Sequence, residues 1–239
     1  MTFHQNIQIF LAFYFTKMTQ EDLAELEETG SHEDYWTFTQ VSQWGDNWPY
    51  FDGELLNQVR NYAVQIRQIG IKTGINPKVV HIAQMIIWRF YLVEKISEYK
   101  LEDIYPLAFE SAAQILESPS PIKNSQNPRM VSSNESLLHF KLLKTLNFNI
   151  RIHHPSDYLH HFINSSFTTE EIRLAECIIS DSFLCTCCLV HKPAQIAEGA
   201  AIMAAGMTEN PGSVIPRTSK AISFIKDMQW FYNQSLNRT

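Results

Sequence analysis

After about residue 50, apolar side chains recur at helical spacing along most of the chain. Leu55, Leu56, Val59, Ala63, Ile66 and Ile69 predict a first helix that Gly70 and Gly74 bring to a stop. Asn76-Pro77 reads as an N-cap followed by proline at the first helical position, and Val80, Ala83, Ile87 and Phe90 continue a second helix. A third runs from about Asp103 through Leu107, Ala108, Ser111, Ala112 and Ile115. Its small residues let neighbours approach closely, so it is expected to be the central, surrounded helix. The segment Ser118 to Ser133 carries three prolines and little apolar periodicity, and is expected to be a loop. Ser133 or Asn134 then caps a helix bearing Leu137, Leu138, Phe140, Leu142, Leu143 and Leu146, and His154-Pro155 breaks the pattern.

The plan repeats after that break. Thr168 and Thr169 before Glu170 and Glu171 form a capping signal for a helix reaching about Cys188. Lys192-Pro193 opens another through Ala197, Ala200, Ala201 and Ala204, and the last carries Ala221, Ile222, Ile225, Met228 and Phe231. Each half has an Ala-rich helix near its middle, a pattern consistent with internal duplication. The composition agrees with a helical reading. Eight Gly and 10 Pro in 239 residues leave too few turn formers for a sandwich or barrel. With 45% hydrophobic and 18% charged residues, the chain can bury enough apolar surface to fold.

The first 50 residues read differently. Met1 to Thr16 contains no charged side chain but is too short for a transmembrane helix and lacks the basic flank of a signal peptide. It is expected to be a packed or partner-binding arm of a soluble, intracellular protein. Thr19 to Asp46 is acidic and holds Trp36 and Trp44, which suggests a short helix and surface loops. A net charge of −6 without a basic run disfavours direct nucleic-acid binding.

Candidate chemistry is sparse. Cys177, Cys185, Cys187 and Cys188 lie within twelve residues, a poor disulfide framework that fits a reducing compartment. Cys187 points about 100° from Cys188 on a helix, so with His191 the group reads as buried small hydrophobes rather than a metal site. His153, His154, His160 and His161 are expected in a loop and solvated helix end. Asp181 and Glu198, inside apolar helices, are expected to be paired or capped rather than catalytic. No glycine-flanked nucleophile and no phosphate-binding glycine loop occurs. The residues thus describe a two-unit, all-α protein with no catalytic residue, metal or cofactor, of a kind that works by binding other proteins.

Several runs carry a resemblance. They are Arg60 to Gly70 (RNYAVQIRQIG), Arg89-Phe90-Tyr91, Ala112-Ala113-Gln114-Ile115-Leu116-Glu117-Ser118-Pro119, and Leu142 to Ile150 followed by His154-Pro155. In order and spacing they resemble the first, second, third and fifth helices of a cyclin box. Ser180-Asp181-Ser182-Phe183-Leu184-Cys185 and Lys192-Pro193-Ala194-Gln195-Ile196-Ala197 are similar to the second box of transcription-type cyclins (K, L, T and their relatives). Tyr14-Phe15-Thr16 with Asp22-Leu23 resembles their N-terminal segment. The resemblance covers nearly the whole chain.

It implies an all-α cyclin fold of two stacked helical boxes with an N-terminal arm. The arm and acidic segment would occupy 1–50, the first box 51–152 and a divergent second box 153–239. It further implies a non-enzymatic, nuclear regulatory subunit that binds and activates a cyclin-dependent protein kinase, with no membrane or nucleic-acid partner. The implied kinase-contact residues are Gln114, Ile115 and Glu117 on the third helix and His139, Phe140 and Leu143 on the fifth, with Arg60 structural. The chain departs from the pattern in having Gln114 where most kinase-activating cyclins have lysine, and Leu116 and His139 where they have glutamate. The loop Ser118 to Ser133 leaves little room for a fourth helix. These departures keep open an alternative, a divergent cyclin-fold scaffold subunit of a non-kinase assembly.

Overall fold

A computed structural model describes residues 53–118, 133–150, 152–208 and 219–236, and among them every regular element is a helix. The expected arm, acidic segment and nearly all of the expected loop after Ser118, together with residues 209–218, lie outside the described residues. The chain divides into two compact units that part between His154 and Pro155.

The first unit contains α1 (Gly53–Thr73), α2 (Pro77–Val93), α3 (Leu101–Ile115) and α4 (Ser133–Thr145). Helix α1 buries Val59, Ala63, Ile66 and Gly70 and exposes Gln58, Asn61, Gln65 and Gln68. It runs past Gly70 and stops at Gly74, whose φ of 66° is open to glycine without strain. There the Ile75 amide donates back to the Gly70 carbonyl at 3.0 Å, the bond that closes a left-handed helix end. Asn76 caps α2 as its side chain accepts from the Lys78 amide at 2.9 Å, with Pro77 at the first position.

Helix α2 is the buried centre of this unit, enclosed from Val79 to Leu92, while α3 shows Glu102, Asp103 and Gln114 to solvent. The expectation that the Ala-bearing third helix is the surrounded one is therefore corrected. Bulky Trp88, Phe90, Tyr91, Ile82, Ile86 and Ile87 fill the space that small residues were expected to close. The Gln84 amide donates to the Ala63 carbonyl at 2.9 Å and ties α2 to α1. Helix α3 begins two residues before Asp103, which leaves Pro106 beyond the first turn, inside the helix.

The second unit contains α5 (Ser156–Leu159), α6 (Thr169–Ser182), α7 (Cys187–Val190), α8 (Pro193–Met207) and α9 (Ser219–Leu236). Thr168 caps α6 in a reciprocal box with Glu171, whose buried carboxylate also accepts from Thr208 at 2.9 Å, linking the ends of α6 and α8. Helix α6 stops at Ser182 rather than near Cys188. The Ser182 hydroxyl donates back to the Ile179 carbonyl at 2.7 Å, and the Leu184 amide closes a tighter turn on Asp181 at 2.9 Å. Helix α8 is buried from Ile196 to Ala204 and packs against α6 and α9.

Gly199 marks the close approach of α8 to α9: a β-carbon there would overlap the buried Phe224 ring and sit 3.3 Å from the Ala221 carbonyl. Gly to Ala inside a helix ordinarily stabilises by about 0.5–1 kcal/mol. Here the sign should reverse, because overpacking a filled core costs about 1–3 kcal/mol. Gly199→Ala is expected to lower the urea midpoint without changing the slope, whereas Gly53→Ala, which meets nothing within 4 Å, does not lower it.

Candidate functional site

The side chains singled out on the third and fifth helices of the resemblance lie on α3 and α4 of the first unit. On α3, Ser111, Gln114 and Ile115 are spaced three and four residues apart and share a face. On α4, His139 and Leu143 do the same, with Phe140 beside them. The two stripes meet where the Ser111 hydroxyl and His139 Nε2 stand 3.0 Å apart. That contact brings together two helices separated in sequence by the proline-bearing segment. Gln114 is exposed, Ile115, His139 and Leu143 are half-buried, and Phe140 is 56% exposed. Arg60 lies on α1 and is half-buried.

Both helices end in the same way. The Ser118 amide donates to the Ala113 carbonyl at 2.9 Å and the Phe148 amide to the Leu143 carbonyl at 2.8 Å, the long-range bond of a Schellman terminus. That terminus needs a left-handed residue, usually glycine. Here Glu117 fills it after α3 (φ 49°) and Asn147 after α4 (φ 52°). Phe148 continues at φ 55°, uncommon for a bulky side chain and a local strain of about 1–3 kcal/mol. All the non-glycine residues of positive φ among the described residues therefore sit at the ends of these two helices. The result is an exposed Phe148 ring whose centroid is 6.0 Å from that of Phe140, with Leu137 exposed one turn earlier on α4.

Phe148 and Leu137 were not among the residues assigned to the face from sequence. The available signal was the Asn-Phe pair after Leu146, since asparagine tolerates the left-handed region and marks a helix end. Exposed Leu137, Phe140 and Phe148 with half-buried Leu143 give α4 and its end an apolar patch, and on α3 Ile115 is half-buried next to exposed Gln114. Such a patch is what a protein partner covers. The expected lysine and glutamate are absent from it. His139, in the glutamate position, instead meets Ser111 of its own chain.

Elsewhere, Cys185, Cys187 and Cys188 are buried; a hydrogen bond with Cys185 and then burial raise Cys187, and burial with the Cys185 thiol raises Cys188, both well above the ordinary thiol range. His153, His160 and His161 are exposed as expected, but His154 is not. It is buried against His81 of α2, with His81 Nδ1 2.9 Å from His154 Nε2. Asp181 accepts from the Tyr232 hydroxyl at 3.0 Å. No three or more of His, Cys, Asp and Glu are grouped as metal ligands among the described residues. No helix there is long and apolar enough to cross a membrane.

Comparison with known proteins adds to the geometry. No family model matches the chain. It is 27% identical over 205 residues to an RNA polymerase II holoenzyme cyclin-like subunit of Aspergillus fumigatus, covering 82% of this chain. A protein so named from Aspergillus clavatus is 26% identical over the same share. The chain spans 65% of the length of these two relatives. In structure it matches a chain of the yeast TFIIK (Kin28/Ccl1/Tfb3) complex with a TM-score of 0.58, at 17% identity, covering 84% of this chain and 96% of that one. It also matches a chain of the Chaetomium thermophilum CAK complex bound to ATP-gamma-S, with a TM-score of 0.63 at 15% identity, covering 91% of this chain and 81% of that one. The fold is the cyclin fold, and the chain is similar in sequence to transcription-type cyclins.

Proposed function

We propose that this cyclin-fold chain, similar to the transcription-type cyclins, is a non-catalytic regulatory subunit that binds and activates a cyclin-dependent protein kinase in the nucleus. The observation that carries the reading is the contact of α3 with α4 at Ser111 and His139, with Phe140 exposed on α4 and Ile115 and Leu143 half-buried one turn along their helices. The two compact units would be the two boxes, with Arg60 holding α1 to its neighbours. The kinase's regulatory helix would lie on the face and turn its catalytic glutamate toward the ATP-binding lysine, the ion pair needed for phosphoryl transfer. No chemistry is required of this chain. It acts by binding one of two kinase conformations more tightly than the other.

Gln114, Leu116 and His139 favour a second reading, in which a divergent cyclin fold holds a non-kinase assembly together. At a buried interface, losing the two groups that hydrogen-bond a kinase backbone costs a few kcal/mol unless other contacts replace them. Capture of the tagged full chain from native cells, followed by mass spectrometry, separates the readings. A stoichiometric protein kinase whose peptide phosphorylation depends on this chain upholds the first. A constant partner with no kinase upholds the second.

A further inference from the structure

Helix α4 carries half of the proposed binding face, yet little apolar burial holds it in place. Among its described side chains only Leu142 is buried, with Leu146 just beyond its end, whereas α2 is enclosed from Val79 to Leu92. Polar contacts add to this. Near its middle, His139 meets Ser111. Toward its C-terminus, Glu94 at the end of α2 accepts from Lys141 Nζ at 2.7 Å and from the Thr145 hydroxyl at 2.8 Å. The side chain of Glu94 is only 12% exposed and that of Lys141 39%. The Lys141 ammonium also lies 5.8 Å from the centre of the Tyr99 ring. Tyr99 is itself fixed, because its carbonyl accepts from the Tyr91 hydroxyl of α2 at 3.0 Å. The hydrogen bond to Glu94 raises the affinity of Lys141 for its proton, against the opposing effect of burial.

Lys141 and Thr145 are one turn apart on α4, so one carboxylate grips two successive turns of the helix. A helix gripped at two turns resists both sliding and rotation about its axis. Phe140, next to Lys141 in the chain, is exposed. We infer that Glu94 is a positioning residue of the binding face: by clamping Lys141 and Thr145 it sets the rotation of α4 that presents Phe140 and Leu143 to the partner. The inference rests on the functional reading above for the identity of the partner, but not for the clamp.

The test uses the full chain and two readouts. Native-state hydrogen exchange compares the α4 segment 137–148 with the α2 segment 79–92, and kinase capture is measured in parallel. Glu94→Gln is expected to speed exchange in 137–148 about tenfold while 79–92 is unchanged, and to weaken capture by a similar factor. The exchanged pair Glu94→Lys with Lys141→Glu, in which the Thr145 hydroxyl can accept instead of donate, should recover most of both. If both segments accelerate together, or α4 does not respond, the clamp has no positioning role and the inference fails. An altered α4 exchange rescued by the exchanged pair upholds the clamp even where the wild-type chain captures no kinase. That capture result would overturn the kinase reading alone.

Discussion

Replacing Ile115 and Leu143 together with aspartate should abolish kinase capture by the tagged chain, a loss of at least a hundredfold. Each side chain lies one helical turn beyond the Ser111–His139 contact, on α3 and α4 respectively, and both are half-buried, so a partner would finish burying them. Each loses apolar contact and introduces a carboxylate that binding would have to desolvate. At the centre of an interface, either change alone is of the order of 2 kcal/mol or more. Because the Leu143 carbonyl also accepts from the Phe148 amide at the terminus of α4, folding needs a control. Unchanged helical circular dichroism and a melting temperature within a few degrees of the parent would show that the fold survives. Undiminished recovery of the kinase by the doubly substituted chain would refute the assignment of this face.

The second large effect concerns acid. His81 and His154 are buried and stacked, with ring centroids 5.1 Å apart and a single hydrogen bond between them, so one nitrogen must donate and the other accept. Burial, the neighbouring His154 and the Arg67 guanidinium together lower the pKa of His81 from its ordinary 6.5 to about 3. The folded state therefore refuses a proton that the unfolded chain accepts below about 6.5. Stability contributed by the neutral ring is full above that value and is lost as the pH falls from 6.5 toward 3. The loss should approach about 1.4 kcal/mol per pH unit, a sizeable share of the 5–15 kcal/mol typical of a domain. Urea unfolding at half-unit steps from pH 7.5 to 5 measures it in a window above the carboxylate titrations. His81→Leu with His154→Leu should flatten the slope, and a slope that persists in this variant would place the acid sensitivity elsewhere.

Helix identities were legible because their signals are local. Asn76-Pro77, Thr168 with Glu171, and Lys192-Pro193 each specify a start through hydrogen bonds within four residues, and each start is where it was expected. Stops were harder. Helix α6 ends at Ser182 because a hydroxyl folds back on its own carbonyl, a choice that competes closely with continuing toward Cys188. The buried centre of the first unit was misassigned because small residues permit close packing without requiring it. Enclosure of α2 depends on which neighbours the fold supplies, and spacing does not carry that information. His154 illustrates the same limit. Its adjacency to His153 suggested a solvated loop, and its burial follows from a partner 73 residues away. The resemblance placed Gln114, Ile115, His139, Phe140 and Leu143 on helices that the structure sets side by side. Phe148 was not singled out because its exposure arises from two consecutive left-handed residues, a tertiary outcome rather than a pattern.

Those left-handed ends have a consequence for how the face can evolve. Its outline is drawn by where α3 and α4 stop, so it is governed by length as well as composition. A single residue inserted late in either helix would turn everything beyond it by about 100° and advance it by 1.5 Å. Such an insertion before Asn147 would carry Phe148 away from Phe140 without altering one apolar side chain. Substitutions within the helices can accumulate while the outline persists, whereas insertions and deletions near Glu117 or Asn147 would change which partner it fits.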